Sequence, residues 1–467
     1  MSKQINQAAS ACNRFGLGAR PGELAKITDA RGWLAEQLRD DIDSPPRGLP
    51  SSGAYLLREA KFVRERRDDK AAGDPKSTFR ASFAGDLRDE SLARWRIAVE
   101  GTHGFHERLV RFWSNHFAVS VDKRAAALYA MPLEREAIRP HATDRFGDLL
   151  LAVETHPAML RYLDNAQSVG PDSMVAERAQ RRQERTGKGR RSGLNENLAR
   201  EVLELHTLGA NGGYRQEDVI ELARAITGWG LPLPRDLVDG PAPVDTGFAF
   251  HPLAHEPGTR GLLGRRYAQP GMEQGRAILA DLAMHPRTAA HVSAKMARHF
   301  VSDVPDPALV AHMTRTWLAH EGDIGAVCRA MIDSDTAWNA DAVKLKSPQD
   351  FVVSALRAVG TTIDPLRLTQ YAALLERLGE PELKPRSPAG FPDQDSAWLE
   401  GDAIWKRLQI AVALAGHVGG DAEDALRAGE ALGPRLDEET SEAMHRAGSP
   451  SQALATLFAS PAFQWRA

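Results

Sequence analysis

One stretch constrains this chain more than any other. It runs from Gly193 to Gly230 and reads GLNENLAREVLELHTLGANGGYRQEDVIELARAITGWG. The spacing predicts a helix, a glycine-rich turn and a second helix. Gly209 suits the C-terminal cap of the first helix, and Gly212-Gly213 suits the turn. At 100° per residue, Leu198, Ala199, Val202, Leu203 and Leu205 fall on one arc. His206 and Asn195 fall in the middle of that arc, where a helix meets the core. Glu201 sits on its border and Glu204 on the opposite side. A buried polar group left unpaired costs about 1–3 kcal/mol. A histidine aimed inward therefore needs a partner, and what His206 faces is the question this sequence poses.

A second stretch repeats the arrangement. In FHERLVRFWSNHFA, residues 105–118, Phe105, Leu109, Phe112 and Trp113 share an arc, with Val110 and Phe117 at its edge. His116 lies near the centre of that arc and Asn115 beside it. Further along, Pro157 suits the first turn of a helix, which leaves His156 at its N-terminal edge among unsatisfied N–H groups. The turn-rich YLDNAQSVGPDS follows and holds Asp164 and Asn165. Next comes AERAQRRQERTGKGRRSG, a dense basic run. It reads as a solvated or mobile loop, or as a flap that attracts an anionic ligand and closes beside Asn195. Phe248-Ala-Phe250 and Gly261-Leu-Leu263, either side of His255-Glu-Pro-Gly258, predict a short β-hairpin.

Helical spacing recurs from end to end and strand alternation is nearly absent. The expected fold is mainly α: a large irregular multi-helix bundle with at most a small β-hairpin. The 467 residues read as a single large helical domain. Residues 1–100 form a charged N-terminal helical arm, and residues 101–467 form a core whose motif region is 105–264. A net charge of −3 excludes a global basic field for nucleic acid. No apolar run approaches the ~18 residues that a membrane helix needs. The N-terminus shows neither an apolar signal core nor a twin arginine, which points to a cytoplasmic home. Cys12 and Cys328 are too few for a disulfide scaffold or a thiolate zinc site.

Several stretches carry a family resemblance. They are Phe112-Trp-Ser-Asn-His-Phe117, His156-Pro-Ala-Met-Leu160, Tyr162-Leu-Asp-Asn165, Asn195-Glu-Asn197 through Trp229, Lys346-Ser-Pro348, Ser387-Pro-Ala-Gly390 and Ser460-Pro-Ala-Phe-Gln464. With these the chain resembles the bacterial domain-of-unknown-function 1800 family from about residue 10 to the end. The resemblance implies a large, mainly helical protein with no assigned activity. It also implies a partner: genes of this family commonly lie beside those of the domain-of-unknown-function 1501 family, whose members resemble sulfatases and alkaline phosphatases. Many relatives are exported.

Two chemistries suit these residues. One is a metal site in which His116, His156, His206 and His255 hold a divalent transition metal, supported by Glu201, Asp164 or Asn195. No HExxH motif or Glu-x-x-His pair accompanies them. The other is metal-free acid–base work by His206, oriented by Glu201 or Asp164 with Asn195 nearby. The bland alternative makes His116 and His206 core residues satisfied by Asn, Asp or a backbone carbonyl. No G-x-S-x-G marks a serine nucleophile, and neither Gly209-Ala-Asn-Gly-Gly213 nor Gly258-Thr-Arg-Gly261 fits a phosphate loop. Two functions from different classes follow. The first is an enzyme with a buried histidine and carboxylate site. The second is a scaffold that presents a sulfatase-like partner, which predicts an exposed apolar patch.

Overall fold

The structure is a computed structural model that describes residues 2–39, 46, 48–68, 82–187, 193–240, 247–339 and 344–466. Helix accounts for 65% of the chain, above the half that the 3.6-residue pattern predicts. Among the described residues the strands are three short antiparallel pairs. Among the described residues, the buried apolar side chains form one connected core from Ala8 to Phe463. The first residues of the chain belong to that core. Asn13 Nδ2 donates to the carbonyl of Ala431 at 3.0 Å, and Arg14 Nη1 to that of Ala337 at 2.7 Å. No helix among the described residues is long and apolar enough to cross a membrane.

The central motif departs from a regular helix. Asn197–Glu201 is α-helical, and Val202–His206 widens into a π-helical turn. Such turns are rare and often sit at functional positions. Thr207 Oγ1 donates to the carbonyl of Val202 at 2.6 Å and Leu208 N to that of Leu203 at 3.1 Å, both five residues back. A wheel drawn at 100° does not hold through such a turn, yet His206 is still buried. Asn195 is not on the arc at all. It precedes the helix, its Oδ1 accepting from Asn197 N at 2.8 Å and its Nδ2 donating to the carbonyl of Asp164 at 3.4 Å.

The predicted hairpin splits in two. Strand β1 (Trp229–Gly230) pairs with β2 (Ala249–Phe250), and β3 (Arg260–Leu262) pairs with β4 (Arg265–Tyr267). The cause is local. Leu263 and Gly264 both adopt positive φ, 48° and 78°, as the tight two-residue hairpin turn requires. That turn closes β3 on its own neighbour and leaves β2 to the end of the central motif. A third pair joins β5 (Lys344–Leu345) to β6 (Trp465–Arg466).

The basic run is helical rather than a loop as far as it is described. Ser173 caps a helix over Met174–Thr186 that buries no residue. With no apolar stripe to dock, it is a solvated face. Residues 188–192, the rest of the expected flap, lie outside the described residues.

Candidate functional site

The two inward histidines do meet. The rings of His116 and His206 lie 6.1 Å apart between centroids. His116 Nδ1 is 2.9 Å from Lys295 Nζ, and its Nε2 is 3.1 Å from the backbone carbonyl of His206. An ammonium only donates, so Nδ1 accepts and Nε2–H donates to the carbonyl. Burial, then the Lys295 charge, pulls the His116 pKa well below its usual value, in keeping with a neutral ring. Burial lowers Lys295 to about 8. His206 Nδ1–H donates to Glu154 Oε1 at 2.7 Å, and both side chains are almost wholly buried. The residue that His206 faces is therefore Glu154, on the helix Phe146–Glu154.

The other predicted residues sit elsewhere. His156 caps the helix Pro157–Tyr162, its Nδ1 accepting from Ala158 N at 3.2 Å. Its Nε2 meets Ser52 Oγ at 3.1 Å and Glu136 Oε2 at 3.3 Å. Serine and glutamate share one nitrogen, so this is not a catalytic triad, in which they flank the ring on opposite nitrogens. His255 Nδ1–H donates to the carbonyl of Thr227 at 3.0 Å. Burial lowers the pKa of both rings. Asp164 adopts a left-handed backbone, φ 59°, and pairs with Lys123 at 2.7 Å. Glu201 is half-buried, and burial raises its pKa. The four histidines thus do not form one donor set. Among the described residues no group of three or more His, Cys, Asp or Glu side chains is placed to hold a metal ion. Cys12 and Cys328 are buried free thiols that burial keeps protonated.

A different site assembles beside His116. A cleft of about 80 Å³ lies between the helix Gly104–His116, the end of the helix Pro286–Phe300, the start of the helix Pro348–Val359, and the segment 380–393. The segments that line it are far apart in sequence. Asn115 latches the last of them, Nδ2 donating to the carbonyl of Phe391 at 3.0 Å and Oδ1 accepting from Phe391 N at 2.7 Å. Gly390 has φ 81°, and a Cβ there would lie 2.4 Å from the Asn115 carbonyl oxygen. Only glycine permits that approach.

Two titratable groups of the cleft stand out. His299 Nδ1 lies 2.9 Å from Asp393 Oδ1, and its Nε2 is buried with no hydrogen-bond partner among the described residues. The ring rests against Phe112, with 5.3 Å between centroids. Burial lowers the His299 pKa although Asp393 opposes it, so the ring is neutral at pH 7. Burial also works against the Asp393 carboxylate, but His299 and Lys344 outweigh it and hold its pKa low. Nδ1–H thus points at Asp393, and Nε2 carries a free lone pair. The second group is Glu380. Burial pushes it up to about 7, against the Gln349 N–H that donates to it at 2.8 Å. Its neighbour Asp350 is held far lower, because Arg108 and Arg466 outweigh the effect of burial.

None of His299, Asp393 and Glu380 is singled out from the sequence. One signal lay in the open. His291, Lys295 and His299 are spaced i, i+4, i+8, which places three titratable groups on one helical face. Asp393 and Glu380 carry no such periodic mark.

No curated protein and no solved structure matches the chain. The profile of a family described as a protein of unknown function, DUF1800, matches residues 10–465. The segments that meet at the cleft, from Phe112-Trp-Ser-Asn-His-Phe117 to Lys346-Ser-Pro348 and Ser387-Pro-Ala-Gly390, all fall within that match. The chain therefore belongs to the DUF1800 family.

Proposed function

We propose that this cleft is the active site of an enzyme that works by general acid–base catalysis. His299, oriented by Asp393, takes a proton from substrate or water through Nε2, and Glu380 supplies or receives the second proton. One observation carries the reading: a histidine that lines the cleft has one ring nitrogen fixed by a carboxylate and the other, Nε2, buried without a partner among the described residues. Glu380 supports it, since two groups whose environments set different protonation states suit acid and base roles. Among the described residues no group of three or more His, Cys, Asp or Glu is placed here to hold the metal considered from the sequence. The test is a panel of chromogenic esters, phosphate esters and glycosides, run on the full chain and on His299→Gln and Glu380→Gln. Turnover should fall by about 10²–10⁴ in each variant with the melting temperature kept within a few degrees. Turnover that survives both substitutions would refute the assignment.

A second reading has its own observation. On the helix Ala403–Val418, Ile404, Trp405, Leu408 and Val412 are exposed by 50%, 63%, 36% and 63%. Their spacing places them along one side of the helix. This is the apolar patch that a scaffold should show. On this reading the chain presents a DUF1501-type, sulfatase-like partner. Co-expression with such a protein from the same genome tests it: Trp405→Asp with Val412→Asp should abolish co-purification, and unchanged recovery would end the idea.

A further inference from the structure

The third strand pair builds an unusual surface beside the cleft. Alternate residues of a strand share a face, and directly paired residues of an antiparallel ladder lie side by side. Lys344 pairs with Arg466, and Lys346 continues the register, its N–H donating to the carbonyl of Gln464 at 3.0 Å. Lys344, Lys346 and Arg466 therefore crowd one side of a two-stranded ribbon, and all three are buried. Cations directly opposite one another repel, so a fold that buries them needs counter-charge.

The counter-charge is uneven across this surface. Lys344 is well compensated, with Asp303 at 2.5 Å and Asp393 and Asp395 within 3.9 Å. The other half gathers Arg108, Lys346, Arg407 and Arg466 around Asp350. Arg108 Nη1 reaches Asp350 Oδ2 at 2.7 Å, and Arg466 Nη1 lies 3.5 Å from the same oxygen. Arg407 spends its donors on neutral oxygens, Gln464 Oε1 at 3.0 Å and the Lys346 carbonyl at 2.7 Å. Lys346 Nζ rests 3.8 Å from the Phe463 ring centroid and has no hydrogen-bond partner among the described residues. Arg466 Nε and Nη1 are likewise buried without one. Lys346 Nζ and Arg466 Nε, buried without a hydrogen-bond partner among the described residues behind a cleft wall that includes Arg108, Asp350 and His299, mark a field suited to a negative charge.

We propose that the cleft takes a substrate bearing a compact oxyanion, a carboxylate or a phosphate group, drawn to the Arg108 wall by the positive charge of Lys346 and Arg466 behind it. Arg108 and His299 line the same cleft, so on this proposal the group that is gripped is not the group that reacts. This inference rests on the acid–base reading of the cleft and adds the class of substrate to it.

Thermal melting of the full chain at pH 6, where Lys346 carries its charge, in sodium phosphate or sodium acetate, against sodium chloride at matched ionic strength, tests it. Phosphate or acetate should raise the melting temperature in a saturable way that chloride does not reproduce. The anion giving the lower half-saturating concentration identifies the class. Lys346→Met and Arg466→Gln should each raise that concentration about tenfold, as expected when one buried positive charge behind the wall is removed. If Arg466→Gln proves unstable, Lys346→Met still decides, because methionine fills the same space without charge. Equal half-saturation in wild type and Lys346→Met, or no anion-specific shift, would overturn the proposal. His299→Gln and Glu380→Gln keep the anion response even where they abolish turnover. An anion response without turnover in any protein sinks the acid–base reading and leaves the anion site standing. Turnover without an anion response does the reverse.

Discussion

At the scale of single residues, burial decides which polar groups are free to act. His206 is spoken for by Glu154, and His116 by Lys295 and a carbonyl. Removing one member of a buried pair leaves the other without its partner, so His206→Ala should cost about 3–5 kcal/mol in a urea denaturation series. A loss below about 1 kcal/mol would show that the pair is dispensable to folding. Lys346 behaves differently, because burial brings it from a usual value near 10.5 down to about 7. Asp350 favours its charge, while Arg108, Arg466 and Arg407 oppose it. Between those two values the unfolded chain holds a proton that the folded chain lacks, so stability rises with pH across that window. The penalty is complete below pH 7 and gone above pH 10.5. Lys346→Met should therefore stabilise the protein by on the order of 4 kcal/mol at neutral pH, at about 1.4 kcal/mol per pKa unit. The gain should shrink steadily as the buffer is raised toward pH 10, and a pH-independent gain would contradict the assignment. The inward aim of His116 and His206 was legible because each sits among apolar residues at helical spacing. Glu154 was not, since a carboxylate at the end of the apolar run FGDLLLAVE gives no sign of which distant side chain it will meet.

At the scale of elements, caps and turns connect local sequence to the cleft. Ser347 caps the helix Pro348–Val359, its Oγ accepting from Asp350 N at 3.3 Å, and it also donates to Glu380. Ser347→Ala should cost about 1 kcal/mol as a lost cap. It also removes a donor that stabilises the ionised carboxylate, so the Glu380 pKa should rise above 7. Carbon NMR of the Glu380 carboxyl against pH reads that shift directly, and an unmoved titration would detach Ser347 from the site. Helix identity was readable over most of the chain because a 3.6-residue apolar period marks the regular helices on either side of a π turn, even though it fails within the turn itself. Pairing between strands was not. Two-residue strands such as β1 and β2 have too little alternation to name their partners, and the Leu263-Gly264 turn settled the matter locally.

At the scale of the molecule, residues distant in sequence depend on one another. Arg407 and Lys346 both bond Gln464, and Phe463 lies under the Lys346 amine. Removing residues 460–467 strips these contacts together with a fully buried phenylalanine. The loss should exceed about 4 kcal/mol, the range where several named defects combine. It should also appear as reduced amide protection around Arg108, far upstream; fraying confined to residues 400–459 would contradict a single cooperative core. The mainly α architecture and the family were legible from sequence. The cleft was not, because it exists only where four separated segments meet and no one of them carries its signature. That arrangement bears on how the protein is made. A chain emerging from the ribosome presents Arg108 early and Arg466 more than 350 residues later. Until the final strand is laid beside Lys344, the wall of the cleft has neither its shape nor its field. An unfinished or clipped chain therefore has no such cleft wall, and synthesis itself serves as a check on where and when the site can first bind an anion.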